Sequence, residues 1–351
     1  MRFDYVALPA RVLFGAGRIA EVGDEVRRLG AKRALVVTTP GHRELGEHTA
    51  ALLGDAAAGV HAHAVMHTPA DVTEQALARL RSLEADCIVA AGGGSTIGLS
   101  KALALRTDLP QIAIPTTYAG SEVTTMVGET SGGVKRTQRS PKILPEIVIY
   151  DVNVTLTLPA ELSATSGMNA IAHAVEAMYA PDANPILDLM AQEAIGALAG
   201  SLPRIAANVG DIEARERAQY GAWLCGLCMG ATMGLHHKIC HVLGGTFDLP
   251  HAQTHAVMLP HAIAYNHDAA PGAMQRLARA LGASDARQGI VALARSLPVP
   301  RSLEALGMPE SGIERAIELA TRDAYPNPRP IERDSIAAML SNAFHGAFAA
   351  R

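Results

Sequence analysis

The hydrophobic pattern of the chain changes kind once, and that change constrains the fold more than any other feature. Up to residue 155, short continuous apolar runs alternate with stretches at helical spacing. Residues 34–38 (ALVVT), 59–65, 87–91 (CIVAA), 112–114 and 147–150 (IVIY) read as strands, and 44–53, 72–83 and 96–105 read as helices between them. Strands that are apolar throughout, rather than at every second residue, belong to a parallel sheet covered on both faces. From Pro159 onward those runs disappear, and Ala, Leu, Met and Ile recur at helical spacing. The expected fold is α/β over 1–155 followed by an all-helical domain over 156–351, with the boundary between Asp151 and Pro159.

A length of 351 residues suits two domains of roughly 100–200 residues each. Apolar residues make up 49% and charged residues 18%, which supports a large core and excludes disorder as a whole-chain description. The net charge of −4 provides no electrostatic footprint for nucleic acid or an anionic membrane. The greasiest stretch, 222–235, is shorter than the roughly 20 residues that span a bilayer. The N-terminal MRFDYVALPARVLFG carries Asp4 and no continuous apolar segment of the secretory kind. Four cysteines include a single Cys225-x-x-Cys228 with no second pair, a poor zinc site. Buried free thiols and a cytoplasmic location are expected.

Two glycine clusters compete for an anion. Gly15-Ala-Gly17-Arg-Ile-Ala20 has the letters of a G-x-G-x-x-A dinucleotide turn, but the strand that follows ends in Thr38-Thr39-Pro40, where that motif needs an acid. Gly92-Gly93-Gly94-Ser95 follows the CIVAA strand directly and opens a helix. Bare backbone and unpaired helix N–H groups there can meet a phosphate, and Ser95 adds a hydroxyl or a cap. Pro115-Thr116-Thr117-Tyr118-Ala119-Gly120-Ser121-Glu122 also follows a strand, at the sheet edge where ligands of open α/β folds bind.

In the helical half, Asn169 and His173 are four residues apart in GMNAIAHAVEAMYA. His237 and His241 repeat that spacing in HHKICHVLGG, so each pair shares a helix face. Gly244-Gly245 is expected to end the second helix, with His251 beyond it in FDLPHAQTHA. Two spaced pairs and a third polar segment make a cluster suited to metal binding or acid–base work near neutral pH.

Taken in order, GGGS, PTTYAGSE, N-A-I-A-H, H-K-I-C-H-x-L-G-G and P-H resemble the iron-containing (group III) alcohol dehydrogenase family over residues 12–266. The resemblance implies an N-terminal dinucleotide-binding domain, a helical catalytic domain and an active site in the cleft between them. It places the family's metal-ligand positions on Asn169, His173, His237 and His251, and its histidine near the nicotinamide on His241. Gly93, Gly94 and Ser95 fall on the pyrophosphate loop, and Thr39, Thr116, Thr117 and Lys135 on further cofactor contacts. A homodimer is the implied assembly.

The departures narrow the resemblance. The family's first ligand is aspartate and here it is Asn169, so the site loses a negative charge. A neutral Asn-His-His-His set is expected to hold Fe²⁺ weakly, and a divalent metal is not expected to be required. Thr39 stands where an acid disfavours a 2′-phosphate, so either NADH or NADPH is expected. Gly98 replaces an acid on the phosphate-loop helix, and PTTYAGSE is shorter than the PTTAGTGSE form. Together these resemble the family's maleylacetate reductase branch, which implies reduction of the C=C bond of maleylacetate to 3-oxoadipate in aromatic-compound degradation. The alternative is a metal-dependent alcohol or aldehyde dehydrogenase of the same family. The implied mechanism sets His173, His237 and His251 around a developing oxyanion, with Asn169 donating an amide N–H and His241 holding the nicotinamide end or relaying a proton. His236, Lys238, Arg136 and Arg139 are the candidates for binding the two carboxylates of a small dicarboxylate substrate.

Overall fold

Four short apolar runs are buried along their whole length and pair side by side. A computed structural model describes residues 3, 5–8, 10–132 and 134–348, without the side chains of Val134 and Lys135. Its strands are β1 (Arg11–Phe14), β2 (Ala34–Val37), β3 (Ala57–His61), β4 (Cys87–Gly92), β5 (Gln111–Pro115), β6 (Met126–Ser131), β7 (Val134–Arg139) and β8 (Ile147–Tyr150). Six of them form one sheet in the order β1-β8-β5-β4-β2-β3, and every pairing is parallel. All residues of β2, β4, β5 and β8 are buried. Helices α1 (Val22–Arg28), α2 (Arg43–Leu53), α3 (Ala70–Ser82) and α4 (Gly94–Thr107) make the crossovers. Val22, Val26 and Leu53 of α1 and α2 pack with Leu13, Val36, Val89, Ile112 and Ile149 of the sheet. Strand β1 and the antiparallel hairpin β6–β7 are absent from the sequence reading. The first is a half-exposed edge strand, and the second carries Lys135, Arg136 and Arg139, so neither has the continuous apolar signature.

The chain runs from β2 outward to β3, then returns to place β4 and β5 on the other side of β2. The carboxyl ends of β2 and β4 therefore flank a reversal of strand order, where open α/β sheets bind ligands.

Two compact units form, Ala7–Leu158 and Pro159–Arg351, the latter also gathering the segment Met1–Val6. Among its described residues the second has helices as its only regular elements. It comprises α5 (Ala160–Tyr179), α6 (Pro185–Ala207), α7 (Ile212–Cys228), α8 (Leu235–Phe247), α9 (His251–Asn266), α10 (Pro271–Ala280), α11 (Ala286–Ser296), α12 (Gly312–Arg322) and α13 (Arg333–His345). Helix α5 packs against α6, α7 and α9, and every residue from Ser163 to Met178 is buried. A helix buried on all sides must satisfy its polar residues inside the protein, which makes Asn169, His173 and Glu176 the informative positions on it.

Gly244-Gly245 does not end its helix: α8 runs through both to Phe247 and stops where Asp248 turns left-handed, with φ of 54°. Packing of Leu235, Ile239 and Leu243 into the core outweighs the roughly 1 kcal/mol by which each glycine weakens a helix. All four cysteines are free and buried, and burial pushes the Cys228 thiol up to about 12. No helix of the described residues is long and apolar enough to cross a membrane.

Candidate active site

Backbone geometry builds a candidate anion site in the α/β unit. Gly92 lies beside Pro115 across β4 and β5, Gly93 caps α4, and the helix starts at Gly94. No side chain caps this helix, so its first N–H groups and positive dipole end are left for an anion. A Cβ on Gly93 would stand 2.7 Å from Thr117 Cγ2, so only glycine lets the two strand ends approach this closely. Thr38 Oγ1 donates to the Ala91 carbonyl at 2.7 Å and draws the end of β2 against β4. Thr39, Gly93–Ser95 and Thr116–Thr117 thus sit at the ends of three adjacent strands. Thr39 Oγ1 bonds His42 Nδ1 at 2.9 Å, and Thr116 Oγ1 is buried without a protein partner. Lys135 lies in β7, and its side chain is outside the described residues.

The loop after Thr117 is pinned from below. Lys101 Nζ, buried on α4, donates to the carbonyls of Ser121, Thr124 and Met126. Glu122 is buried too and accepts from Tyr150 Oη at 2.8 Å. The rival glycine turn is already filled: the Gly17 and Ile19 N–H groups donate to Asp151 Oδ1 and Oδ2 at 3.0 and 2.9 Å. An internal carboxylate occupies the place a phosphate would need.

Side chains from three helices build a separate candidate site in the helical unit. Asn169, His173 and Glu176 come from α5, His236, His237, Cys240 and His241 from α8, and His251 and His255 from α9. His173 Nε2 and His237 Nε2 are 3.3 Å apart. His237 Nδ1 bonds the buried Glu176 Oε2 at 2.6 Å, and Glu176 also accepts the N–H groups of Gly234 and His236 at 3.0 and 2.8 Å. Burial pushes the Glu176 carboxyl up, while the neighbouring imidazole and these N–H donors pull it back. Burial, then the neighbouring imidazoles, hold His173 and His237 well below the usual histidine range, so their rings are neutral. With Nδ1–H given to Glu176, His237 presents a bare Nε2 toward His173.

Within the helical unit, the structure gathers the sequence-derived histidines and sorts them. His251 is half-buried and His241 exposed, with ring centroids 6.3 Å apart. His251 approaches the pair through His255, whose centroid is 4.3 Å from it and 5.0 Å from that of His237. Asn169 Oδ1 is buried without a protein partner. Two of the candidate carboxylate binders have partners within the protein. His236 is buried and tied to His255 Nδ1 at 2.9 Å, and Lys238 faces Asp323 at 3.8 Å. Arg136 and Arg139 lie exposed in a strand rather than a loop. Sequence reasoning missed Glu176 and His255. Both signals were present, since Glu176 is three residues beyond His173 and His255 four beyond His251 on the same helix faces.

The donor set suits a divalent cation. Metal bonds of roughly 2.0–2.1 Å place two tetrahedral nitrogens roughly 3.3 Å apart, which is the His173–His237 separation. A carboxylate behind a ligating imidazole is the usual orienting partner, and Glu176 fills that role for His237. Asn169 Oδ1 adds an unpaired acceptor.

Comparison with known proteins follows the same division. Residues 9–152 match the family model described as iron-containing alcohol dehydrogenase, and residues 163–344 match the C-terminal model of the Fe-containing alcohol dehydrogenase family. The chain is 54% identical to a maleylacetate reductase of Sphingobium indicum over 99% of this chain and 98% of that protein. It is similar to the crystal structure of maleylacetate reductase from Agrobacterium tumefaciens, at 53% identity and TM-score 0.96, covering 99% of both chains. The iron-containing alcohol dehydrogenase from Corynebacterium glutamicum superposes with TM-score 0.94 at 42% identity, covering 98% of this chain and 97% of that one. Iron is part of both family descriptions, and this overturns the expectation that no divalent metal is required. The error was in counting charge: Asn169 removes a carboxylate from the ligand position, but Glu176 supplies one directly behind His237.

Proposed function

The chain belongs to the iron-containing alcohol dehydrogenase family, and on that premise we propose that it reduces the carbon–carbon double bond of maleylacetate with NAD(P)H, giving 3-oxoadipate. The observation that carries this reading is the near full-length similarity to maleylacetate reductases. The buried Asn169–imidazole cluster provides a site for the chemistry.

When bound, NAD(P)H supplies the hydride and a divalent cation supplies Lewis acidity. His173, His237, His251 and Asn169 would hold the cation, with Glu176 fixing the His237 tautomer. Gly93, Gly94 and Ser95 bind the pyrophosphate through backbone N–H groups at the start of α4. Thr39, Thr116 and Thr117 line the same strand ends. Hydride addition to the carbon β to the ketone leaves negative charge on the ketone oxygen, and a proton must then reach the α carbon. His241, the exposed imidazole of the cluster, exchanges protons with solvent and delivers that proton.

The finer features belong to the same proposal. Thr39 bonds His42 and puts no acid beside the ribose, so NADPH serves as well as NADH. The protein acts as a homodimer in the cytoplasm and serves the degradation of aromatic compounds. Small dicarboxylates, and neither nucleic acids nor membranes, are its partners.

The test is NADH or NADPH oxidation with maleylacetate, before and after exhaustive chelation, with metals assayed by mass spectrometry. Turnover that disappears on chelation and returns with Fe²⁺ is the expected result. Oxidation of simple alcohols without any turnover of maleylacetate would move the chain to the alcohol dehydrogenases of the family. A strong preference between the two nucleotides, read from catalytic efficiencies, would defeat the Thr39 argument.

A further inference from the structure

His255 touches more of the imidazole cluster than the other histidines of α9. Its ring centroid lies 4.3 Å from that of His251, 4.9 Å from His236, 5.0 Å from His237 and 6.4 Å from His173. One of its nitrogens, Nδ1, is held by His236 Nε2 at 2.9 Å. The other, Nε2, is buried and has no protein partner.

We infer that His255 is a catalytic hydrogen-bond donor, its Nε2–H directed at the substrate oxygen that becomes negative, and that His236 is the positioning residue that selects this tautomer. The inference rests on the reductase reading above. A neutral imidazole has one N–H and one lone pair, so one of the two rings must donate across the 2.9 Å contact. If His255 donates, the spare N–H falls on His236 Nδ1, which is buried with no acceptor. If His236 donates, the spare N–H falls on His255 Nε2, among the candidate site imidazoles. An unpaired buried N–H costs more than an unpaired lone pair. Only the second arrangement puts the N–H on the ring that packs against His251. Both rings are fully buried, but His255 stands beside the half-buried His251, with the exposed His241 beyond, whereas His236 has Cys240 Sγ 3.7 Å from its Nε2. The step needs no proton transfer at His255. Hydride bonds to the β carbon, the π electrons move to the ketone oxygen, and Nε2–H donates to that oxygen while keeping its proton.

The experiment uses the metal-loaded enzyme and four variants. His255→Ala should lower kcat for maleylacetate by about 10²–10³-fold, as loss of one oxyanion donor does. The KM for NADH and the bound-metal content should stay at wild-type levels. His255→Gln, whose amide N–H reaches roughly to the Nε2 position, should recover at least about tenfold of that loss. His236→Ala should lower kcat about tenfold and His236→Gln should restore it, because an amide N–H again donates to His255 Nδ1. Nitrogen NMR of labelled histidine in the wild-type protein, assigned by difference with His255→Gln, should place the proton on Nε2 and reads the tautomer even where an alanine variant fails to fold. A proton on Nδ1, kcat within about threefold of wild type in His255→Ala, or loss of metal in that variant would overturn the inference. If the wild-type enzyme itself leaves maleylacetate unreduced, the reductase reading fails first and independently of the variants.

Discussion

The candidate site at the end of β4 offers backbone, while the one in the helical unit offers side chains gathered from α5, α8 and α9. The first site is contiguous in sequence: Gly92 to Ser95 are the strand end, the turn and the first residues of α4. Its electrostatics come from peptide groups and are neutral overall, so it needs no charged neighbours. The second joins residues 169 to 255, and most of its members are titratable groups held out of water, His251 being half-buried and His241 exposed. Such groups cost stability unless each finds a partner, which is why Glu176 stands behind His237 and His236 behind His255. A backbone site is therefore defined by what is missing, a Cβ at Gly93, and a side-chain site by what must be present around it.

That contrast can be broken by substitution. Gly93→Val puts branched carbons into Thr117 and displaces the loop, so kcat/KM for the nucleotide should fall about 100-fold, the scale set by misplacing bound groups by an ångström. Removing Thr117 Cγ2 with Thr117→Ser should recover part of the loss in a Gly93→Ala background; steady-state kinetics at varied NADH would show whether it does. Glu176→Gln should weaken metal binding by about 10–100-fold while leaving nucleotide binding at the wild-type value. Calorimetric titration of both ligands tests this, and equal damage to the two would dissolve the separation.

Acid sharpens the contrast in stability. Burial lowers His236 to about 3 and His261 to about 4. A depressed histidine pKa means the unfolded chain binds protons that the folded one refuses. The stabilisation is complete above about 6.5 and declines as pH falls toward the folded values. Denaturant midpoints of the metal-free protein should therefore drop between pH 7.5 and pH 5, and substituting His261 by Gln should flatten that slope. A midpoint independent of pH across this range would mean the histidines are hydrated. The smallest effect is expected at Ser95→Ala, a few-fold rise in KM for NADH, because neighbouring N–H groups of α4 still face the phosphate.

The α/β to all-helical order, the strands at 87–91 and 147–150, and the glycine turn into α4 were legible because each depends on local pattern: continuous apolar runs, a glycine triplet and the start of a helix. Strand β1 and the β6–β7 hairpin were not, since an edge strand and an exposed ribbon carry no buried face to announce them. The end of α8 was misjudged at Gly244-Gly245 because local propensity gave way to core packing. Within the site, i, i+4 spacing identified Asn169 with His173 and His237 with His241. Spacing alone left open which imidazole faces which partner. Only the tertiary structure decided that Asp151 fills the Gly17 turn, that Glu176 stands behind His237, and that His236 turns inward to His255. The physical reason is range. Backbone pattern acts over a few residues, whereas the pairing of a buried charge or imidazole depends on groups 19 to 134 residues away.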